Sequence, residues 1–183
     1  MARPSEFGDD ALGHIDALYS TARRLTKNPA EAEDLVQDTY LKAFRARSGF
    51  RPGSNLRAWL FAILHNTFLN DIRRRKASPV VAGEAAVEYA ADRHPAPGPT
   101  PEDRLMAQAA AADVDAALAG LPDAYRQAVW LRDVQEMPYA EIAGILQIPM
   151  GTVMSRIARG RKLLHDGLVE IQNAAPGVKA KGT

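Results

Sequence analysis

The sequence predicts an all-α protein with two small helical domains joined by a flexible linker. Apolar residues recur with helical spacing through most of the 183 residues, and no run shows the alternation typical of a strand. Glycine and proline cluster between Ser78 and Pro101, which favours two compact halves. We expect domains at residues 8–77 and 102–173, a proline-rich linker at residues 78–101 and a disordered tail at residues 174–183.

The first domain is predicted to begin with two amphipathic helices. The first spans about Asp10 to Lys27, and its apolar residues at helical spacing are Leu12, Ile15, Leu18, Tyr19, Ala22 and Leu25. Asn28 is a favoured N-cap, Pro29 suits the first helical position and Glu31 the third, so a second helix should start there. Its predicted inward residues are Ala32, Leu35, Val36, Tyr40 and Ala43.

A loop rich in glycine and proline separates the second helix from a third. The loop covers residues 48–55, and either Ser54 or Asn55 is suited to cap the helix that follows. That helix should run to about Lys76 and complete a three-helix domain. Its predicted core face consists of Leu56, Leu60, Leu64 and Thr67.

Four further helices are predicted in the second half, at residues 102–121, 122–136, 138–146 and 149–172. A tight turn separates the last two, which predicts a helix-turn-helix. The predicted core side of the last helix holds Val153, Ile157, Gly160 and Leu164, with Gly160 permitting close packing. Another side holds Thr152, Ser155, Arg156 and Arg159, whose hydroxyls and guanidiniums are suited to the major groove. The alternative is an ordinary helical hairpin with a solvated basic face.

Composition and charge argue against several classes of function. The net charge is only +1, but residues 28–38 are acidic while residues 73–76 and 156–162 are basic, which suggests different partners for different faces. The basic run at residues 73–76 has the alternative role of complementing a helix C-terminus. No cysteine is present, so disulfides and thiolate metal ligands are excluded. No apolar stretch is long enough to cross a bilayer, which takes about 18 residues or more, and no signal peptide is apparent. We therefore expect a cytoplasmic protein without membrane insertion.

An enzyme is disfavoured by the arrangement of the candidate side chains. The four histidines are scattered, and neither a glycine-rich phosphate loop nor a nucleophilic triad is apparent. Asp34 and Asp38 imitate a carboxylate pair, but an exposed helix face lacks the burial that tunes a pKa. We therefore expect no catalytic residue, no metal site and no cofactor.

Three blocks of sequence resemble a known family. They are NPAEAEDLVQD at residues 28–38, RAWLFAILHNT at residues 57–67 and GTVMSR at residues 151–156. In this order they resemble the second and fourth conserved regions of extracytoplasmic-function sigma factors, group 4 of the sigma-70 family. The resemblance covers residues 12–76 and 102–168. It implies a sigma-2 domain, a sigma-4 helix-turn-helix domain, and a protein that brings RNA polymerase to promoters, helps to melt them and starts transcription.

The resemblance assigns roles to particular residues. The second helix would dock on the clamp helices of the largest polymerase subunit through Asp34, Gln37, Asp38 and Leu41. Contacts to the minus-10 element, including a pocket for a flipped base at Phe50 and Asn66, would come from Phe50, Trp59, Ile63, Asn66, Asn70, Arg73 and Arg74. Contacts to the minus-35 element would come from Thr152, Met154, Ser155, Arg156, Arg159, Arg161 and Lys162.

Two of these assignments have a structural alternative. Glu31, Glu33 and Asp34 are also placed to stabilise the N-terminus of their helix. Trp59 is equally suited to a place in the core.

The resemblance also implies partners. These are the polymerase core, at its clamp helices and flap region, promoter DNA, and an anti-sigma factor acting in a stress response. The Met154-Ser155-Arg156 block, with Asn55 to Leu60 and Asn66-Thr67, looks most like the subgroup controlled by zinc-containing, thiol-reactive anti-sigma factors. The competing hypothesis is a conventional helix-turn-helix transcriptional regulator that binds operators without docking on polymerase.

Overall fold

The structure is a computed structural model that describes the backbone of residues 4–51, 53–77 and 101–174, and the side chains of residues 7–51, 53–75 and 109–174. Within these ranges every regular element is helical, as predicted. The helices are α1 (Pro4–Leu12), α2 (Ile15–Thr26), α3 (Pro29–Ala46), α4 (Leu56–Ala77), α5 (Pro101–Gly120), α6 (Asp123–Val129), α7 (Tyr139–Leu146) and α8 (Met150–Ala174). The predicted linker and tail lie outside the described residues, apart from Pro101 and Ala174 at helix ends.

The chain divides into two compact units, the first containing α1 to α4 together with residues 143–147, and the second containing α5, α6 and α8. In the first unit α2 packs against α3, α3 packs against α4, and α1 contacts α4. α3 and α4 run antiparallel, since Glu31 near the start of α3 pairs with Arg75 near the end of α4 at 2.9 Å. Lys42 near the end of α3 donates a hydrogen bond to Thr67 in α4 at 3.0 Å.

The first helix predicted from sequence is interrupted. The expected continuous helix at residues 10–27 is wrong, because Gly13 and His14 form a turn between α1 and α2. Leu12 and Ile15, which flank this turn, are exposed rather than inward-facing, whereas Leu18 and Ala22 are buried as expected. Glycine is a poor helix former, and here it separates a short helix that the sequence pattern did not reveal. Over its described residues, the stretch from α1 to α4 therefore has four α-helices rather than three.

The start of α3 follows the prediction. The Asn28 side chain accepts hydrogen bonds from the backbone N–H groups of Ala30 and Glu31, at 3.0 and 3.4 Å, and Pro29 is the first helical residue. All five predicted inward residues are buried. The outward face of α3 is thereby fixed toward solvent.

The loop before α4 and the core of that helix are also described. Asn55 is the capping residue, since its side chain accepts from the backbone N–H of Ala58 at 3.2 Å, whereas Ser54 donates to the carbonyl of Arg51. Leu60, Leu64 and Thr67 are buried and Leu56 is half-buried. The core face is wider than predicted, because Phe61 and His65 are buried as well.

The second unit is built around α8. Leu118 of α5 packs with Val129 and Trp130, and Leu164 of α8 covers this cluster. Gly160 lies so close to α6 that a Cβ atom built there would be 2.6 Å from Cγ2 of Val129, which confirms its predicted packing role. A π-helical turn, Trp130–Val134, follows α6 and was not predicted. Gln147 adopts a left-handed conformation, with φ of 54°, in the tight turn before α8.

Candidate protein and nucleic-acid interfaces

A polar stripe runs along the outward face of α3. Asp34, Gln37 and Leu41 are exposed and Asp38 is half-buried, so the spacing of three and four residues does place them on one surface. Asp34 and Gln37 form no hydrogen bond or ion pair with any described residue. Leu41 is 54% exposed and follows Asp38 by three residues on this face. A helix face that carries two carboxylates and an exposed apolar side chain is suited to a basic protein surface.

Three aromatic rings meet beside the N-terminus of α4. The centroids of Phe50 and Trp59 are 5.2 Å apart, and Phe7 of α1 lies 6.0 Å from Phe50 and 6.2 Å from Trp59. All three side chains are half-buried, so each ring is packed on one side and open on another. Trp59 thus takes part in packing while remaining accessible. Sequence reasoning missed Phe7, although its spacing of four from the buried Ala11 is a helical signal.

The face of α4 that continues from Trp59 becomes more exposed along the helix. Ile63 and Asn66 are half-buried, while Asn70 and Arg73 are exposed. These side chains follow one another at spacings of three and four, as expected for one helix face. The surface therefore offers an apolar group, two amides and a guanidinium in that order.

The two arginines predicted to contact the minus-10 element differ in their surroundings. Arg73 has no ion-pair partner in the described part of the chain. Arg74 pairs with Asp71, and this hydrogen bond and charge, with a smaller contribution from Asp38, raise the pKa of its guanidinium. Asp38 belongs to the α3 stripe, so the stripe and the basic end of α4 are electrostatic neighbours.

The α8 side chains divide into two groups around the buried stripe of Val153 and Ile157. The first group is polar or cationic and consists of Thr152, Ser155, Arg156, Arg159 and Lys162. Thr152 and Arg156 are half-buried beside the core, and the other three are exposed. The three cations have no acidic partner among the residues with described side chains. The Ser155 hydroxyl donates to the carbonyl of Thr152 at 3.0 Å, so its oxygen can still accept a hydrogen bond.

The second α8 group contains Met154 and Arg161, which are spaced seven residues apart and so share a side of the helix. Met154 is 51% exposed. Arg161 binds Asp133 of the π-helical turn through two hydrogen bonds, Nε to Oδ2 at 3.0 Å and Nη2 to Oδ1 at 2.5 Å. This pairing raises the pKa of the Arg161 guanidinium. Arg161 and Lys162, which the sequence grouped together, are therefore electrostatically different.

The buried titratable groups within the described part of the chain form no reactive cluster. Burial lowers the pKa of His65, which favours a neutral imidazole in the core. Burial and the charge of Arg57 lower the pKa of His14. Among the residues with described side chains, no group of three or more His, Asp or Glu residues is placed to hold a metal ion. None of the described helices is long and apolar enough to span a membrane.

Comparison with known proteins places both units in one family. Residues 12–78 match Sigma-70 region 2, and residues 111–164 match Sigma-70 region 4. The chain is 41% identical over 157 residues to the ECF RNA polymerase sigma factor SigE of Mycolicibacterium smegmatis, covering 86% of this chain and 59% of that relative. It is 36% identical to EcfG of Rhodopseudomonas palustris over 85% of this chain and 81% of the relative. It is 30% identical to SigW of Bacillus subtilis over 90% of both chains.

Solved structures agree with this placement. The sigma factor RpoE of Bartonella quintana, solved with the anti-sigma factor NepR, has a TM-score of 0.69 and 32% identity, covering 91% of this chain and 98% of that one. CnrH, solved with the cytosolic domain of CnrY, has a TM-score of 0.63 at 24% identity, covering 95% of this chain and 92% of that one, and supports the fold alone. With two matched regions and relatives that align over most of their length, the chain belongs to the ECF RNA polymerase sigma factors of the sigma-70 family.

Proposed function

We propose that this sigma factor recruits core RNA polymerase to promoter DNA through three separate surfaces. The α3 stripe binds the clamp helices of the largest subunit, the aromatic rings and outward face of α4 engage the minus-10 element, and α8 engages the minus-35 element. The protein acts by binding alone, without a catalytic residue, metal or cofactor. Its place of action is the cytoplasm, where polymerase and chromosome are found.

The observation that carries this proposal is the α3 stripe. Leu41 is 54% exposed on the same helix face as Asp34 and Asp38. A regulator that only binds operators has no need of such a surface, whereas a polymerase-binding factor does. The acidic charge of the stripe suits a basic coiled coil, because complementary charge increases association rate and specificity.

Promoter melting would use the α4 side of the first unit. Flipping a base out of duplex DNA costs a few kcal/mol, and stacking on an aromatic ring with hydrogen bonds to the base edge offsets that cost. Phe50 and Trp59 supply ring surface, Asn66 and Asn70 supply amide donors and acceptors, and Arg73 supplies a charge without an acidic partner in the described part of the chain. In this proposal the free energy of binding to the unpaired bases drives strand separation, and no catalytic step is needed.

Minus-35 recognition would use the first α8 group. Arg156 and Arg159 are placed for base edges in the major groove, where arginine pairs with guanine. Lys162 lies one turn further along and suits a phosphate. The second unit would also contact the flap region of polymerase.

Control by an anti-sigma factor is supported by one solved relative. The Bartonella quintana sigma factor, at 32% identity, was solved bound to an anti-sigma factor. We infer that the present chain is held inactive by such a partner and released in a stress response. The motif resemblance favours the zinc-containing class of partner. Any thiol that senses oxidation would belong to that partner, since this chain has no cysteine.

A charge-reversal experiment tests polymerase docking. Asp34→Arg combined with Asp38→Arg should reduce the affinity for core polymerase by at least about tenfold, since like charges then face each other across the contact. Glu33→Arg is the matched control, because Glu33 is exposed on the same helix but lies outside the stripe. Affinity is measured by pull-down with core enzyme, and circular dichroism checks the helical content. Undiminished binding of the double variant, or an equal loss in the control, would contradict the docking assignment.

A further inference from the structure

The short helix α1 brings an aromatic side chain to the surface that is proposed to melt the promoter. Phe7 contacts both Phe50 and Trp59, with tilted and edge-to-face ring geometries. Phe50 and Trp59 also contact each other. Aromatic pairs prefer such offset arrangements, so three mutually contacting rings restrict one another's orientation. Because each ring is only half-buried, the restriction acts on surfaces that remain open to a ligand.

Phe7 is held in place independently of the two rings that it contacts. Its ring packs edge-to-face on Phe44 of α3, with centroids 5.8 Å apart. The hydroxyl of Tyr40, also in α3, donates to the carbonyl of Ala11 at 2.8 Å, and Ala11 is fully buried. α1 is thereby fastened to α3 at both of these points. The contacts with α3 therefore position the ring of Phe7, and the rings of Phe50 and Trp59 pack against it.

Phe50, in contrast, lies in the loop between α3 and α4 and not in a helix. It follows a single 3-10 turn, Arg47–Gly49, and its backbone N–H donates to the carbonyl of Arg47 at 3.1 Å. Gly49 and Arg51 on either side are exposed. The only described rings that its own ring contacts are those of Phe7 and Trp59. Removing Phe7 would therefore leave Phe50 with a single aromatic neighbour.

We propose that Phe7 is a positioning residue for promoter melting, which holds the rings of Phe50 and Trp59 in the orientation that receives an unpaired base. The inference rests on the proposed function. Phe7 itself lies before residue 12, where the match to Sigma-70 region 2 begins. A ring that is already oriented loses less conformational freedom on capturing a base, so the captured state is reached more readily.

The test compares open-complex formation on duplex promoter with binding to a pre-melted bubble. With core polymerase and the full chain, Phe7→Ala should lower open-complex formation on duplex by about 2- to 10-fold, the range expected for lost aromatic pairs. The defect on the bubble template should be smaller, because its bases are already unstacked. Phe7→Tyr should restore the wild-type value, since it keeps the ring. Phe50→Ala should show the same preference for the bubble.

A second measurement follows the environment of the Trp59 ring by its fluorescence. In a Trp130→Phe background, Trp59 is the remaining tryptophan, and Phe7→Ala should shift its emission to the red and increase its quenching by acrylamide. Leu18→Ala serves as the stability control, because Leu18 is fully buried in the same unit and is in none of the ring contacts. Its transcription defect should be equal on both templates.

Three results would overturn the inference. They are an equal Phe7→Ala defect on both templates, an increase in opening, which would make Phe7 a cover rather than a support, and unchanged Trp59 fluorescence. Failure of the wild-type protein to open any duplex promoter would instead contradict the proposed function. In that case the fluorescence of Trp59 alone still decides whether Phe7 positions the ring.

Discussion

Gly160 allows a direct test of how α8 is held against α6. A Cβ atom at this position would lie 2.6 Å from Cγ2 of Val129 and 3.3 Å from both Cβ and the carbonyl oxygen of Tyr125. Val129 is 1% exposed, so its methyl group has no solvent-filled space to move into. Gly160→Ala must therefore push α8 away or distort α6.

The expected loss follows from two opposing effects. Overpacking a well-packed core costs about 1–3 kcal/mol. Alanine in a helix interior is favoured over glycine by about 1 kcal/mol. Gly160→Ala should thus lower the free energy of unfolding by up to about 2 kcal/mol. Gly151→Ala is the matched control in the same helix, since nothing lies within 4 Å of its Cβ position, and it should be neutral or stabilising.

Urea unfolding followed by Trp130 fluorescence, in a Trp59→Phe background, measures this loss in the second unit. Val129→Ala removes the obstructing methyl group, so it should relieve part of the Gly160→Ala defect in a double-mutant cycle. Minus-35 binding should fall with Gly160→Ala, because Arg159 adjoins the displaced residue. If Gly160→Ala is as stable as Gly151→Ala, the close packing of α8 on α6 is refuted.

Three predictions concern the cations of α8 and the acidic partner of Arg161. Arg156→Ala and Arg159→Ala should each cost about 1–3 kcal/mol and relax preference at one or two minus-35 positions, measured by run-off transcription against every single-base change; a uniform loss without altered preference would mean that these residues only contact the backbone. Lys162→Gln should weaken binding to all promoters about equally. It should also reduce the salt dependence of DNA affinity more than Arg161→Gln does, because Asp133 already neutralises Arg161. Asp133→Asn should raise DNA affinity by freeing Arg161, and unchanged affinity would show that this arginine is too far from DNA.

The helical architecture could be predicted because its signals are local. The cap formed by Asn28, the start of α3 at Pro29 and the buried stripe of α8 depend on spacing and on residues close in sequence, and the structure confirms them. Gly160 was predicted to pack closely from its position among apolar residues alone. Such features need no knowledge of the rest of the fold.

The features that were missed depend on contacts distant in sequence. The proposed role of Phe7 depends on its contacts with Phe50 and Trp59, which are 43 and 52 residues away in sequence. In addition, the nine-residue helix that contains Phe7 is too short for a clear periodic pattern. The partner of Arg161 is Asp133, 28 residues earlier, so the sequence could not separate this arginine from Lys162. The burial of Phe61 likewise reflects packing of α4 by several helices, which widens its core face beyond one stripe.

The proposed residue roles at the three surfaces remain predictions, and they depend on one central claim, that the chain acts with polymerase. Run-off transcription on a library of duplex promoters, with core RNA polymerase and with or without the chain, tests that claim most directly. We predict promoter-specific transcripts only when both are present, and no such transcripts with the Asp34→Arg, Asp38→Arg variant. Tight, sequence-specific binding of the chain to duplex DNA without polymerase, together with no transcript when polymerase is added, would contradict the account and favour an operator-binding regulator.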